Sequence, residues 1–407
     1  MPNGDEREQV WITGIGLISS LGVGIDENWN KLHGETPPRP VIDEGRFAPY
    51  TVHPMPEIDI AQQIPRTSDQ RQMDRWQKFG VYAAGLALRD AGIAGNDALL
   101  DKTDLCIAAG NGERDMALDS RILATADADA DAAPRLNTEL MTGLRPTLYL
   151  VQLSNLLAGN ISIIHKATGS SRTFKGEEMA GVSAIKNAVD RIKAGQGDLF
   201  LVGGALNAER QDFLLGCELT GSLHRGPHKS VWDRQGENGG FIPGSVGIFL
   251  ILESSSHAKA RGAMPYAQIA GIASDRSPRA PGDIAATANT LLKELPLDTS
   301  NRELFVMSGA SGVRETTAEE LQFLSDVQKA GIEPVIRAWG SIFGHTHEAH
   351  FLVGIALAAL ALSKSEFYPP FDTSGVEHTR KTWADQILVT TFGHWRGEGL
   401  GLVQSVW

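Results

Sequence analysis

Two patterns of apolar residues alternate along the chain. Short, continuous apolar runs rich in β-branched residues predict buried strands, and apolar residues recurring every three or four positions predict amphipathic helices. The predicted strands are 9–14, 106–109, 199–203, 246–252, 266–272 and 303–307. The predicted helices are 71–90, 178–194 and 351–362. Because the strands are apolar throughout, this order predicts an α/β fold with helices covering both faces of the sheet.

The stretch 351–362 is apolar on every side, which is typical of a helix at the centre of a protein. It is also the longest apolar run, and it is too short to span a bilayer. No segment rich in proline and serine divides the chain. Alanine and aspartate alternate within 119–146, which predicts an insertion that either packs against a partner or stays mobile.

The chain has 407 residues, enough for one large domain or two ordinary ones. Its net charge of −12 argues against nucleic acid or an anionic membrane as the main partner. The first residues are charged and lack an apolar core, so we expect no signal peptide. Cys106 and Cys217 predict buried thiols in a reducing compartment, and the cytoplasm is therefore the expected location.

A motif with a defined spacing surrounds Glu178. It begins with Gly-Asn-Ile-Ser-Ile at 159–163, interpreted as a strand, and ends with the glycine pair 203–204. In this order and spacing the motif resembles that of a β-ketoacyl synthase around its catalytic cysteine, with Glu178 in the place of the cysteine. A different register would make Ser170 the nucleophile, but it displaces both ends of the motif.

The resemblance to β-ketoacyl synthases extends over nearly the whole chain. The segments that carry it are 10–29, 69–76 with Gly92, 231–233, 240–244, 257–262, 266–271, Gly344-His345 and Phe392-Gly393. It implies the thiolase-like fold, a five-layered αβαβα sandwich of two pseudo-repeated halves that is normally dimeric. We expect the halves to be 1–252 and 253–407, and we expect no cofactor.

The resemblance also implies a chemistry that this chain has largely lost. A condensing enzyme holds its acyl chain on a thiolate at a helix N-terminus, and two histidines stabilise the thioester oxygen during decarboxylation. Here Glu178 replaces the cysteine, Gly309 replaces the first histidine and Gly340 replaces a loop lysine. The second histidine remains as His345.

The family's C-terminal loop, which controls access to the active site, is changed as well. Phe392 and Gly393 match its beginning, but His394, Trp395 and Arg396 replace the flexible residues that follow. Glycines let such a loop swing, whereas bulky side chains do not fit the same tight backbone. We therefore expect a blocked entrance, and we call 392–396 the gating loop.

These losses resemble the chain length factor, the ketosynthase-like subunit that pairs with an active, cysteine-bearing ketosynthase in type II polyketide or aryl-polyene synthesis. Such a subunit shapes the acyl tunnel of its partner and does not condense by itself. Leu148 and Tyr149 are expected to set the tunnel depth, or else to be plain interface core. Because the chain is acidic, an acidic acyl carrier protein is expected to dock mainly on the partner.

Other roles stay open. Glu178 could act as a general base with His345, or the two could form a structural pair in which the carboxylate raises the pKa of the histidine. The chain could instead be a malonyl-carrier decarboxylase that supplies starter units, although Gly309 removes one of the two histidines used for that reaction. An acyl-binding homodimer with neither activity is a third reading.

Two apparent metal motifs fail on spacing. His345, His347, His350 and Glu348 lack the two histidines four residues apart that a helical zinc motif requires. The acidic run 127–131 resembles a calcium loop, but its sixth position is Ala132 and its twelfth is Thr138. We therefore expect no metal site.

Overall fold

The computed structural model describes residues 8–126, 132–236, 239–379, 383 and 385–406. The strands are β1 (Val10–Ser19), β2 (Gly22–Val23), β3 (Asp104–Ala108), β4 (Ser171–Phe174), β5 (Leu199–Leu206), β6 (Val246–Ser254), β7 (Ala267–Asp275), β8 (Glu303–Ser308), β9 (Glu333–Ala338), β10 (Gln386–Phe392) and β11 (Glu398–Gln404). The helices are α1 (Ile25–His33), α2 (Thr67–Arg71), α3 (Arg75–Asp90), α4 (Asp97–Leu100), α5 (Met116–Ala126), α6 (Ala132–Gly143), α7 (Leu148–Val151), α8 (Leu156–His165), α9 (Glu178–Lys193), α10 (Gln211–Leu219), α11 (Ser255–Ala260), α12 (Asp283–Glu294), α13 (Arg314–Lys329) and α14 (His350–Lys364).

The strands form one ladder in the order β4-β3-β5-β6-β1-β7-β11-β10-β8-β9, with β2 paired to β1. Read outward from the antiparallel contact between β1 and β7, the two sides of the ladder repeat each other. On each side the two outermost pairs are parallel and the inner pairs are antiparallel. This repeat is the pseudo-repeat that the family resemblance implies, and the division at residue 252 stays a prediction.

Helices cover the ladder in three layers. α3 packs on β1, β5 and β6 with α8 beside it, and α12 and α13 cover β7, β9 and β11. α9 and α14 contact each other and lie between the two sides of the ladder. The predicted α/β class and the five-layered αβαβα order are confirmed.

α14 is the central helix that the sequence predicts, since every residue from His350 to Leu362 is buried. It packs against α9 and against strands of both halves. Among the helices that the structure describes, none is both long and apolar enough to cross a membrane.

One predicted strand is wrong. Residues 159–163 lie inside α8, which buries Leu157, Ala158 and Ile161 on one side. Isoleucine is common in strands, but strand propensity depends on context, and packing of this side against α3 decides in favour of a helix. The strand that precedes Glu178 is β4 instead. Within 119–146 the described residues form α5 and α6, which pack on each other, and residues 127–131 lie outside the described residues.

Candidate functional site

The connection from β4 to α9 presents two adjacent carboxylates. Glu177 has φ 51° and ψ −134°, a backbone conformation that strains any residue except glycine. This sharp bend places Glu178 as the first residue of α9, where only 1% of its surface is exposed. The partial positive charge of the helix N-terminus favours a carboxylate at this position.

The connection from β9 to α14 brings His345 to the same place. Its Nε2 lies 3.2 Å from Oε1 of Glu178. On the other side of the ring, Nδ1 accepts the backbone N–H of His347 at 3.3 Å. A neutral imidazole that accepts at Nδ1 carries its proton on Nε2, so an N–H group faces the carboxylate.

The gating loop closes over this pair. The Gly393 N–H donates to the carbonyl of Gly397 at 2.9 Å, which folds the loop into a tight turn. His394 Nδ1 then lies 2.8 Å from Oε1 of Glu178, and its ring stacks on Phe241 at 5.1 Å. Arg396 donates to Oε2 of Glu177 at 3.2 Å. The two adjacent carboxylates therefore each hold one side chain of the loop.

Burial governs the charges in this cluster. It lowers the pKa of His345 to about 3, although the contact with Glu178 acts in the opposite direction. Burial by itself would raise the pKa of Glu178, but His394 and His345 together bring it well below its usual value. His345 is thus neutral beside an ionised carboxylate. The contact with Glu178 acts to raise the pKa of His345, as the sequence leads us to expect, but desolvation outweighs this effect.

Gly309 and Gly340 lie on either side of a third imidazole. A Cβ atom at Gly309 would lie 2.4 Å from the carbonyl oxygen of Thr390, so this backbone accommodates no side chain. His350 donates from Nε2 to the carbonyl of Gly309 at 3.1 Å, and its Cε1 lies 3.8 Å from where a Cβ of Gly340 would stand. The ring of His350 therefore fills the space between the two glycines.

A cavity of about 630 Å³ opens next to the cluster. Its lining includes Trp76, Gly110, Gln152, Glu177, Arg210, Phe213, Cys217, Phe241, His347, Glu348, His394 and Trp395. Leu148 and Tyr149 do not contribute to this lining, and Tyr149 is 72% exposed on α7. In the single chain they are surface residues, and their role in a tunnel stays a prediction.

Neither cysteine is a reactive thiol. Cys217 lines the cavity, but burial raises the pKa of its thiol to about 12. Cys106 lies inside β3, and burial raises its pKa to about 12 as well. A thiol must ionise to attack a thioester, so both are inert at neutral pH.

Glu178, His345 and His394 are also the group that could surround a metal ion, since their ligand atoms lie within 4.8 Å of one another. The protonation of His345 argues against a metal site, because a nitrogen that binds a metal must be free of its proton. His345 already accepts an N–H at Nδ1, so its proton sits on the nitrogen that faces Glu178. The donor set fits a carboxylate held by imidazoles better than a metal centre.

Sequence reasoning brought Glu178 and His345 together but missed two partners. It interpreted His394 only as an obstacle in the gating loop, whereas in the structure Nδ1 of His394 lies 2.8 Å from Oε1 of Glu178. It grouped His350 with possible metal ligands, whereas both ring nitrogens of His350 are engaged by Gly309, Trp339 and Thr346. No local signal connects these positions, because they come from strands and helices far apart in the chain.

Comparison with known proteins identifies the family. The family model for the beta-ketoacyl synthase N-terminal domain matches residues 7–258. The 3-oxoacyl-(acyl-carrier-protein) synthase 2 of Rhizobium meliloti (strain 1021) is 28% identical over 284 residues, which cover 65% of this chain and 63% of that protein. A Streptomyces rimosus protein named as an oxytetracycline polyketide beta-ketoacyl synthase 1 is 25% identical over 379 residues, 89% of this chain and 87% of that protein.

Solved structures extend the likeness in fold to nearly the full chain. The ishigamide ketosynthase/chain length factor superposes with a TM-score of 0.77 at 22% identity and covers 99% of this chain and 100% of its own. A type II ketosynthase solved with its acyl-carrier protein has a TM-score of 0.70 at 17% identity, and the match covers 98% of this chain and 100% of that chain. The family model spans more than half of the sequence, and the chain belongs to the beta-ketoacyl synthase family.

Proposed function

We propose that this chain is a non-condensing ketosynthase-like subunit of the chain-length-factor kind. It pairs with a cysteine-bearing β-ketoacyl synthase and shapes the acyl tunnel of that partner during polyketide, polyene or fatty-acid-like elongation. The single observation that carries the proposal is the contact of Glu178 with both His345 and His394. A carboxylate stands in the place that the resemblance gives to the family's nucleophile, and it lies 3.2 Å from the imidazole nitrogen that a thioester oxygen would need.

An exposed apolar surface supports pairing with another subunit. Large apolar side chains on α5, α6, α7 and the turn before α7 are exposed: Leu123, Leu136, Leu140, Met141, Leu144, Tyr149 and Leu150. α5 and α6, which carry four of these residues, pack on each other, and exposed apolar side chains that lie together are typical of a protein interface. Tyr149 and its neighbour Leu148 are the residues that we propose to reach the partner's tunnel.

The charge balance supports a division of labour between the subunits. At a net charge of −12 the chain is a poor docking surface for an acidic carrier protein, so the carrier is proposed to dock mainly on the partner. The two free, buried cysteines support a reducing compartment such as the cytoplasm.

The experiment that tests the proposal is expression of this chain alone and together with a cysteine-bearing ketosynthase encoded beside it. Each preparation is sized and then assayed for turnover of malonyl-carrier protein. We expect a stable 1:1 complex that elongates chains, and no turnover by this chain alone. The matched control replaces the partner's cysteine with alanine, which should abolish elongation while the complex still assembles.

Decarboxylation of malonyl-carrier protein by this chain alone would contradict the proposal. That reaction needs donors around the thioester oxygen, and here the donor nitrogen of His345 already faces Glu178. Carbon dioxide release from a homodimer, lost in Glu178→Ala and His345→Ala, would make the chain a decarboxylase. A complex that assembles but elongates no better than the partner alone would also refute the tunnel role.

A further inference from the structure

Glu348 is a carboxyl group for which the proposed function has no role so far. It lies on the short 3-10 turn His347–Ala349 before α14 and faces the cavity. Gly110 on the opposite wall leaves room for it, since a Cβ there would stand 2.6 Å from Oε1 of Glu348. Among the described residues, no side chain forms an ion pair with Glu348. Its carboxyl group is therefore available to a molecule in the cavity.

Glu177 and Glu348 line this end of the cavity, and Glu178 directly follows Glu177 in the chain. Two of these three carboxyl groups have partners. Glu177 is held by Arg396, and Glu178 is held by His345 and His394. When carboxyl groups lie close together in a desolvated place, one of them stays ionised and its neighbour keeps its proton. Glu348 is the one without a cationic or imidazole partner.

The surroundings of Glu348 support its neutral form. Burial raises its pKa to about 7, and the charges of Glu178 and Glu177 act in the same direction. A hydrogen bond from the backbone N–H of Glu348 itself acts in the opposite direction, and so does Arg210, whose guanidinium is already engaged by Asp212 and by the carbonyl of Gly112. A protonated carboxyl group has an O–H to donate, which an ionised one lacks.

We propose that Glu348 donates a hydrogen bond to a carbonyl oxygen of an acyl chain held in this cavity, so that the site favours keto-bearing chains over fully reduced ones. That an acyl chain enters the cavity rests on the proposed function. That its carbonyl group is recognised rests on the residues of the cavity. Phe213, Phe241 and Trp395 give the hydrocarbon part of the chain apolar surfaces to contact. A site built around a hydrogen bond discriminates strongly against an analogue that cannot form it.

The test measures binding of two thioesters that differ only in one carbonyl group. The N-acetylcysteamine thioesters of 3-oxooctanoic and octanoic acid are titrated into the tag-free chain, alone and in complex with its partner. Trp76 and Trp395 line the cavity, so tryptophan fluorescence reports binding. We expect the wild-type chain to bind the 3-oxo thioester about 5- to 10-fold more tightly, as one hydrogen bond would give.

Two variants of one position identify the donor. Glu348→Leu should bind both thioesters equally, because it keeps the bulk and removes the O–H. Glu348→Gln should restore most of the preference, because the amide has an N–H to donate. Circular dichroism checks that both variants are folded.

Several outcomes would overturn the inference. They are equal affinities in the wild-type chain, a preference that survives in Glu348→Leu, and failure to bind either thioester both alone and in the complex. Tighter binding of an aminoacyl thioester than of the 3-oxo thioester would instead make Glu348 an ionised group that selects cations. Each of these results can occur while the complex still assembles and elongates, so the proposed function fails or survives separately in the coexpression assay.

Discussion

The two halves of the sheet have the same strand order, but the connections that lead to their central helices differ. In the first half only residues 175–177 join β4 to α9, and the strained backbone of Glu177 forms the bend. In the second half residues 339–349 join β9 to α14 and include two 3-10 turns. The fold repeats where apolar strands and helices pack, and it diverges where the site is built.

The connections also supply different chemistry. The short one places a carboxylate at a helix N-terminus, where the helix dipole and two imidazoles stabilise its charge. The long one supplies the imidazoles of His345 and His347, and His350 follows as the first residue of α14; burial keeps all three neutral. One connection therefore contributes a charged group to the site, and the other contributes neutral imidazoles enclosed by packing.

The largest effect is expected from removing the main packing residue of the long connection. Trp339 is fully buried, and its indole N–H donates to Nδ1 of His350 at 3.2 Å. Trp339→Ala should lower the free energy of unfolding by about 3–5 kcal/mol, the usual cost of such a cavity. Urea denaturation followed by circular dichroism measures it.

The matched control for this prediction is Trp395→Ala in the gating loop. Trp395 is 56% exposed, so its removal should change the free energy of unfolding by no more than about 0.5 kcal/mol. Equal losses in the two variants would mean that the long connection is not held by packing.

The second-largest effect is a loss of protein stability at acidic pH, caused by protonation of the buried histidines in the long connection. Burial lowers the pKa of His347 to about 4 and that of His345 to about 3, from about 6.5 in the unfolded chain. Since the folded state binds these protons less tightly, their contribution is complete above pH 6.5 and is lost as the pH falls. At pH 5 each histidine should reduce the free energy of unfolding by about 2 kcal/mol.

Replacing one histidine shows how much of the pH dependence of the unfolding free energy comes from that residue. His347 has φ 43°, a left-handed conformation that asparagine tolerates, so His347→Asn removes the titrating group with little strain. Between pH 7 and 5 the variant should lose about 2 kcal/mol less than the wild type. Glu178 should contribute only below pH 4.5, because its pKa is lowered from that value. Parallel pH profiles for the variant and the wild type would contradict the assignment.

The comparison of the two halves also shows how far sequence reasoning reaches. The strands β1, β5, β6 and β8 and the helix α14 follow from local apolar patterns, because burial on both faces leaves few polar positions. The failure at 159–163 has the same origin, since a short apolar run fits a strand and a buried helix equally well. Length and tertiary packing decide between them, and neither is visible locally.

Within the site, the family resemblance located Glu178 and His345 but not their surroundings. The approach of His394 depends on a turn between β10 and β11, and the position of His350 depends on the gap left by two glycines. The neutral state of His345 depends on complete burial, which no motif encodes. The positions of groups are thus easier to predict from sequence than their protonation.

A third, smaller effect concerns the strain in the short connection. At the backbone angles of Glu177 glycine is unstrained, so Glu177→Gly should be more stable than Glu177→Ala by about 1 kcal/mol. Both variants lose the same contact with Arg396, which therefore cancels in the comparison. The control is Ala286→Gly on α12, where glycine should cost about 1 kcal/mol. If alanine proves as stable as glycine at position 177, the connection carries no strain.

The smallest effect on stability is expected from a substitution outside both connections. The same substitution should change the product of the complex. Tyr149 is exposed in the single chain, so Tyr149→Trp should change its free energy of unfolding by less than about 0.5 kcal/mol. If the side chain reaches the partner's tunnel, the larger indole should shorten the products of the complex, which mass spectrometry of carrier-bound chains would reveal. Leu219→Trp on α10 is the control, because Leu219 is also exposed and apolar but lies on another helix. Unchanged products from a complex of normal affinity would make Tyr149 a plain interface residue.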